Sequence, residues 1–492
     1  MKRRSFLKGT GVLATQLLAG SILTSISLIQ KAEAQTGLPL KSLFDSLRSD
    51  QAILLTAKDF NFSKYQSAFN IRTTLQPEVR ALCQTAEGVS ICINWCRTNN
   101  VPFAIRGAGH SYEGYSQSKY LVIDTRLMKK LDIDVENKIL TVQPGLALGE
   151  IYKALSVHQL AIPAGSCPTV GVVGHTMGGG YGLLARAKGL ACDSLIEIEI
   201  VDAQGKILKA SENENADLFW ACRGGGNGQF GVVTELKFKT YLVSQATTFG
   251  VGWVLPKQKA LQLAKIWQSW APYAPDEITS LLKISKDPSG LINLRCVGQS
   301  IGTEENLIAQ LQTLIKFVAP TSPLKTTTMS FIESVKHFSG GDDCPPVYMK
   351  AKSDYLFAPM SDEGLLKLMS GLENLSAGVI AAIMDSYGGA INRVDKSATA
   401  FSHRENTHYS IQYYSEWHKP ETTAGRLKAM KDLYDSMRPY VSGQSYVNYC
   451  DLDLVDAPRS YWGENLERLQ NVKAAYDPEN IFRHAQSILP RA

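Results

Sequence analysis

The sequence predicts an α+β protein with a second domain built as an antiparallel sheet backed by helices, and three observations carry that expectation. From about Leu38 to Leu242, short apolar runs and hairpins interleave with helical segments without the regular period of a doubly wound sheet. From about Ala246 to Ser442, amphipathic helical stretches sit beside alternating strands, the pattern of a sheet with helices on one face. Three glycine-dense stretches fall within the first region, beside strand-like or helical runs.

The elements read in order. "AEGVSICINWCRTNN" has Val89, Ile93 and Cys96 at helical spacing. "VPFAIRG" and "YLVIDTR" are short apolar runs bounded by turn residues, hence strands. "LDIDVENKILTVQPG" reads as a hairpin turning at Glu136-Asn137, and "EIEIVDAQGKILKAS" as one turning at Gln204-Gly205. The amphipathic helix "LGEIYKALSVHQL" lies between them. Further on, "PKQKALQLAKIWQSW" and "EENLIAQLQTLIKFV" read as helices and "HYSIQYYSEW" as a strand, with aromatic spacings that suit a core. In "YVNYCDLDL", alternation places Val447 and Tyr449 on one strand face and Tyr446 and Asn448 on the other. The expected organisation is a signal over residues 1–34, a first domain over 38–245, a second over 246–445, and a returning segment over 446–492.

Length and charge narrow the function. A chain of 492 residues exceeds one typical core. Of the formal net charge of +5, the first 34 residues hold +4, from Lys2, Arg3, Arg4, Lys8 and Lys31 against Glu33. The remainder is about +1, which argues against a nucleic-acid partner. The start "MKRRSFLKGTGVLATQLLAGSILTSISLIQKAEAQ" has a charged head, an apolar stretch and the small-x-small site Ala32-Glu33-Ala34. Its "RRSFLK" resembles a twin-arginine signal, the route for proteins exported already folded with their cofactor. The protein is therefore expected to be periplasmic or secreted, with no other membrane segment.

The nine cysteines are scattered, without paired CxxC motifs, so no metal site is expected. Their odd number leaves at least one outside any bridge within the chain, and Cys167 is the candidate.

The glycine stretches point to a cofactor. In "RGAGHSYEG", Gly107 and Gly109 follow a strand and could cradle a phosphate, with Arg106 supplying charge or bracing the loop. The pattern is not G-x-G-x-x-G, so the dinucleotide fingerprint does not apply. "GSCPTVGVVGHTMGGGYG" clears side chains at Gly171, Gly174, Gly178, Gly179, Gly180 and Gly182, as an extended ligand lying along it requires. "FWACRGGGNGQFGVVTELKF" adds a third set, ending at Gly231 before Val233.

Together with "ATAFSHRENTHYSIQYYSEW", "YVNYCDLDL" and "YWGENLERLQNVKAAYDPENIFRHAQSI", these stretches resemble the berberine bridge enzyme-like branch of the vanillyl-alcohol-oxidase superfamily. The resemblance implies a PCMH-type FAD-binding domain of two α+β subdomains. It also implies FAD attached twice, through His110 and Cys167, imidazole and thiolate being nucleophiles that can attack an electron-poor ring. Arg106, Gly107, Ala108, Gly109, Ser111, Val170, Gly171, Gly174, His175, Gly178, Gly179, Tyr181, Gly182, Gly231, Val233 and Tyr449 complete the implied flavin site. The implied catalytic set is Tyr449 as base, with Gln412, Tyr181 and Tyr112. Gln412 stands where berberine bridge enzyme itself has a glutamate base, which favours the alcohol-oxidising members. Val170 stands where the fast-reacting oxidases of the family tend to have valine. His175, His403 and His484 are read as flavin-domain or packing residues.

The expected protein is thus a monomeric, exported FAD oxidase. It moves a hydride from an alcohol or hemiacetal carbon of a sugar or phenolic alcohol to the flavin, and dioxygen takes the electrons to give hydrogen peroxide. The alternatives are a tailoring oxidase or dehydrogenase of secondary metabolism and, in another class, a non-catalytic flavoprotein or glycan-binding module.

Overall fold

The computed structural model describes residues 37–491, so the signal read over 1–34 lies outside the described residues. Four strands form the first sheet: β1 (Ala52–Thr56), β2 (Val79–Cys83), β3 (Phe103–Arg106) and β4 (Leu121–Asp124), in the order β1-β2-β4-β3. The helix Ala86–Thr98 leads from β2 to β3, starting where the Thr85 side chain accepts from Gly88 N. Glu87 in its first turn and Arg97 in its last suit the helix dipole. Its apolar stripe of Val89, Cys92, Ile93 and Cys96 is buried against the sheet.

A second sheet, antiparallel throughout, comprises β5 (Leu131–Asp134), β6 (Ile139–Val142), β8 (Leu195–Val201), β9 (Ile207–Ser211) and β10 (Val232–Lys239), in the order β5-β6-β10-β8-β9. The short pair β7 (Leu160–Ala161) and β11 (Tyr241–Leu242) lies apart from it. Both hairpin turns form where side chains tie them. Asp134 accepts from Asn137 N at 2.9 Å, and Asp202 accepts from Gln204 N and Lys206 N.

The third sheet has seven antiparallel strands: β12 (Gln245–Leu255), β13 (Ile278–Lys286), β14 (Ile292–Ser300), β15 (Ser322–Ser330), β16 (Tyr348–Leu356), β17 (Ala381–Ser386) and β18 (Tyr409–Trp417). Their order is β15-β12-β14-β13-β17-β18-β16. Alternation puts Leu282, Ile284, Leu294, Met384, Ile411 and Tyr413 on one face, buried under helices such as Lys257–Trp270 and Asp362–Glu373. Trp267 of "IWQSWAPY" is core, and Tyr409 donates to Gln268 of the same helix. The opposite face is turned to the glycine-rich half, where Gln299 donates to Leu183 O.

One reading is corrected. "YVNYCDLDL" is not a strand: Val447–Tyr449 is a 3-10 turn, closed by Tyr449 N donating to Tyr446 O at 2.9 Å. The Tyr446 hydroxyl accepts from Gly180 N and Tyr181 N of the glycine run and from Asn448 Nδ2 of its own turn, and these bonds take the place of a sheet ladder. Val447 and Tyr449 therefore pack into different clusters instead of sharing a face.

Candidate active site

A cavity of about 440 Å³ opens among the glycine loops, the second sheet and the C-terminal segment. Of the expected residues, Gly107, Ala108, Gly109, His110, Ser111, Tyr112, Cys167, Val170, Gly171, Gly174, His175, Gly231, Val233 and Tyr449 line it. Two glycines explain how the loops meet. Gly109 has φ +82°, and a Cβ there would lie 2.5 Å from the Arg106 guanidinium. A Cβ on Gly171 would press on Ala108 at 3.1 Å, so only glycine lets the two loops approach this closely.

Other expected residues stand off the wall. Arg106 is 1% exposed and runs beneath its loop, donating to Ser67 O. Burial first, then Arg126, lowers its guanidinium to about 10, with Asp124 opposing. Of the two roles weighed for Arg106, the structure gives it the brace. Gly178, Gly179 and Gly182 back onto Asn448, Phe401 and Ala164 instead of facing the cavity. Tyr181 and Gln412 stand at the seven-stranded sheet, Tyr181 bonded to Ser386 O at the end of β17 and Gln412 on β18.

His110 and Cys167 share a neighbour. The Thr169 hydroxyl lies 2.9 Å from His110 Nε2 and 3.7 Å from Cys167 Sγ. The His110 ring stacks on Phe69 at 4.4 Å. Burial, then the charge of Arg106, lowers its pKa to about 4, so at neutral pH the imidazole is uncharged and nucleophilic. All nine cysteines are thiols, and Cys167 Sγ lies 2.8 Å from Cys344 Sγ. His175 accepts from Gly165 N on the cavity wall, whereas His403 is fixed between Gln444 and Ser445 O as a packing residue. His484 stacks on Tyr115 at 4.1 Å and also lines the cavity.

The phenols gather at the sheet side. Tyr112 and Tyr449 lie parallel, their centroids 5.6 Å apart, and Gln412 Nε2 donates to the Tyr112 hydroxyl at 3.4 Å. Tyr181 donates to Ser386 O at 3.0 Å and stacks on Tyr387. Burial, then the charge of Asp385, holds the Tyr449 and Tyr181 phenols well above their usual range. Tyr449 is therefore a neutral phenol at rest. Asp385, on β17 beside these rings, is itself pushed up to about 7 by burial, with Lys283 and Ser410 pulling the other way. A buried carboxyl poised near neutrality beside a phenol is an arrangement suited to moving a proton.

Comparison with known proteins decides the family. Residues 77–211 match the FAD binding domain family, and residues 445–489 match the berberine and berberine-like family. YgaK of Bacillus subtilis (strain 168), an uncharacterised FAD-linked oxidoreductase, is 35% identical over 89% of this chain and 96% of its own. Berberine bridge enzyme-like D-1 of Nicotiana tabacum is 33% identical over 87% of this chain and 86% of its own. The chain belongs to the berberine bridge enzyme-like family. A solved member, BBE-like 1 of Physcomitrella patens, superposes with a TM-score of 0.85 at 30% identity, covering 92% of this chain and 99% of that one. A solved chitooligosaccharide oxidase superposes at 0.83 with 28% identity, covering 90% and 98%.

This berberine bridge enzyme-like protein is thus an FAD-linked oxidoreductase, and its cavity fits FAD on its own chemistry. The N–H groups from Ala108 to Ser111 donate to no acceptor among the described residues, and Ser116 Oγ on the wall is buried without a partner. Such donors suit a phosphate-bearing ligand, while Ile105, Val173 and Val233 offer apolar wall to a ring. Sequence reasoning missed Asp385, Thr169 and Tyr446. Asp385 had a signal: a lone carboxylate inside the apolar run "VIAAIMDSY", where an unpaired charge is costly. Thr169 and Tyr446 matter only through contacts distant in sequence.

Proposed function

We propose that this protein oxidises an alcohol or hemiacetal carbon of a sugar, with FAD held covalently by His110 and Cys167 and with dioxygen as the final acceptor. The observation that carries the reading is the pair of parallel phenols, Tyr112 and Tyr449, beside a neutral Gln412 and a buried Asp385. FAD, when bound, supplies a hydride acceptor whose reduced form passes its electrons to dioxygen. Tyr449 accepts the hydroxyl proton of the substrate as its own phenolic proton passes toward Asp385. Asp385 is suited to receive it because burial has raised its carboxyl to about 7. Gln412 and Tyr112 orient the substrate oxygen; neither is charged, and neither imposes an amine. The likeness to a chitooligosaccharide oxidase supports a sugar over a phenolic alcohol.

His110 suits attachment because it is uncharged and its ring is fixed by Phe69 and Thr169. Val170 on the wall leaves more room than leucine for dioxygen. We further propose export by the twin-arginine route, on the "RRSFLK" start.

Peroxide release with a panel of sugars tests the reading. Tyr449→Phe is expected to keep its flavin and lose about 10²–10⁴-fold in kcat. Denaturation in trichloroacetic acid tests the attachment: colour should stay with the pellet in His110→Ala and in Cys167→Ala and leave it in the double variant. A colourless wild-type pellet, or full turnover in Tyr449→Phe, overturns these assignments.

A further inference from the structure

The open face of the seven-stranded sheet carries charges that the proposed chemistry does not use. In register, Gln412 stands opposite Ile383, Ile383 opposite Lys283, and Lys283 opposite Arg295. This single row runs across four strands from the substrate side of the flavin cavity outward. With neighbouring strands about 4.8 Å apart, Lys283 lies roughly 10 Å from Gln412 and Arg295 roughly 14 Å. The adjacent row begins at Asp385 and runs through Leu281, Val297 and Gly250 to Lys325. Lys283, Arg295 and Lys325 are all exposed. Among the described residues none of the three forms an ion pair or a side-chain hydrogen bond.

An ordinary solvated surface accounts poorly for this arrangement. Like charges directly opposite on paired strands weaken a sheet, and Lys283 and Arg295 are directly opposite. On the second sheet Glu235 likewise stands opposite Glu199, but Lys209 stands opposite Glu199 on its other side, and Lys237 lies 2.7 Å from Glu197. Of the acidic groups on this face, Asp385 is buried at the inner end, and Glu416 lies beyond Gln412, accepting from Tyr414. The outer part of the row is therefore purely cationic. Gly250 and Gly252 leave β12 without side chains between Arg295 and Lys325, and only Ser322 approaches there, 3.3 Å from where a Cβ on Gly252 would stand.

We propose that Lys283, Arg295 and Lys325 form an anion-binding subsite, and that the substrate is an acidic oligosaccharide oxidised at one end and held by an anionic group further along the chain. This rests on the alcohol-oxidation reading for the reacting end, while the subsite rests on the sheet register and the unpaired cations. The separation from Gln412 exceeds the reach of a single sugar, so the anion sits on a neighbouring unit. Carboxylate and sulfate esters are the two sources of such charge on sugar chains.

Titration calorimetry on the FAD-loaded protein decides between acidic and neutral chains. The ligands are a uronic-acid trisaccharide, a sulfated trisaccharide, a neutral trisaccharide and the uronic-acid monomer. At about 0.01 M salt an acidic trisaccharide should bind on the order of tenfold tighter than the neutral one, as two partly exposed ion pairs allow. That advantage should shrink toward 0.15 M, where the Debye length falls to about 8 Å. Lys283→Gln with Arg295→Gln should bring the ratio to about one, and Arg295→Lys should largely keep it. Preference for either acidic chain supports the subsite, and the tighter of the two names the charge. Equal binding of acidic and neutral chains, a ratio untouched by the double variant, or a monomer as tight as the trimer overturns it. Anaerobic bleaching of the flavin, followed separately, reports on the oxidation reading alone. Failure of every sugar to bleach it would sink that reading and leave the binding ratios to judge the subsite.

Discussion

At the scale of single residues, Asp385 determines how the site should respond to pH. Its carboxyl is raised to about 7, and only the ionised form accepts a proton from the Tyr449 side. Activity should therefore rise as pH increases through about 7, and Asp385→Asn should flatten that limb and lower kcat by about 10²–10⁴-fold. Stability runs the other way. The unfolded carboxyl ionises near 3.9 and the folded one only near 7, so the folded state gains its charge late and at a cost. The melting midpoint of the parent should fall, relative to Asp385→Asn, as pH rises from about 4 to about 7. A pH–rate profile unchanged in the variant would remove Asp385 from the mechanism. The thiols give a second test at this scale. Peroxide can convert Cys167 and Cys344 to a disulfide and two waters, consuming the thiol proposed to hold the flavin. Treated with hydrogen peroxide, flavin-free protein should yield linked Cys167 and Cys344 peptides by non-reducing mass mapping, and Cys344→Ser should raise the flavin-bearing share at Cys167 in protein loaded with FAD. Linked peptides that never appear would rule this competition out. Most of the residues expected at the site line the cavity, because each lies in a dense local motif. Thr169 was not legible, because its role comes from what the fold brings against it, and of Asp385 the sequence shows only a lone carboxylate in an apolar run.

At the scale of elements, the turn holding Tyr449 shows why local pattern misleads. "YVNY" alternates like a strand, yet it forms no ladder with the edge strand β16 beside it, where Tyr446 N donates to the Ser353 side chain rather than to a backbone carbonyl. The hydroxyl of Tyr446 instead gathers Gly180 N at 2.9 Å, Tyr181 N at 3.3 Å and Asn448 Nδ2 at 2.8 Å. Asn448 in turn donates to His175 O, so the turn is fixed to the glycine run that borders the cavity. Tyr446→Phe leaves these buried donors without an acceptor and should cost about 1–3 kcal/mol in urea unfolding. Because the same bonds position Tyr449, kcat should fall while flavin content stays. The two hairpins were readable because Asp134 and Asp202 close their turns within a few residues. The helices were readable because their apolar stripes repeat locally.

At the scale of the whole molecule, a buried ionic cluster joins three distant parts of the chain. Glu113 follows Tyr112 in the first glycine loop, Lys350 and Lys352 stand on β16, and Asp451 and Asp453 follow Tyr449. Lys350 Nζ lies 2.5 Å from Glu113 and 2.6 Å from Asp451, while Lys352 Nζ lies 2.7 Å from Asp451 and 2.6 Å from Asp453. Arg72 closes the cluster on Glu113 at 2.6 Å. Neither this meeting nor the order of the seven strands could be read from the sequence, because both depend on contacts between segments hundreds of residues apart. Burial opposes the charge on Asp453, but Lys352 and Lys350 hold it down at about 2. A carboxyl lowered in the folded state stabilises above its unfolded range and loses that contribution only as pH falls through about 2. This part of the cluster should therefore survive mild acid. Asp451→Asn takes the carboxylate shared by two buried lysines and leaves Arg72, Lys350 and Lys352 against only Glu113 and Asp453. It should cost about 3 kcal/mol, because one buried positive charge is left in excess. Glu464→Gln, which removes the exposed partner of Lys396, should leave the unfolding midpoint unchanged. Urea unfolding of the two variants side by side makes the comparison. Equal, small effects would mean that water reaches the cluster and that the three segments are held by their apolar contacts instead. A large loss in Asp451→Asn alone, together with a fall in turnover, would mean that the same ions hold the domains together and keep Tyr112 and Tyr449 facing each other.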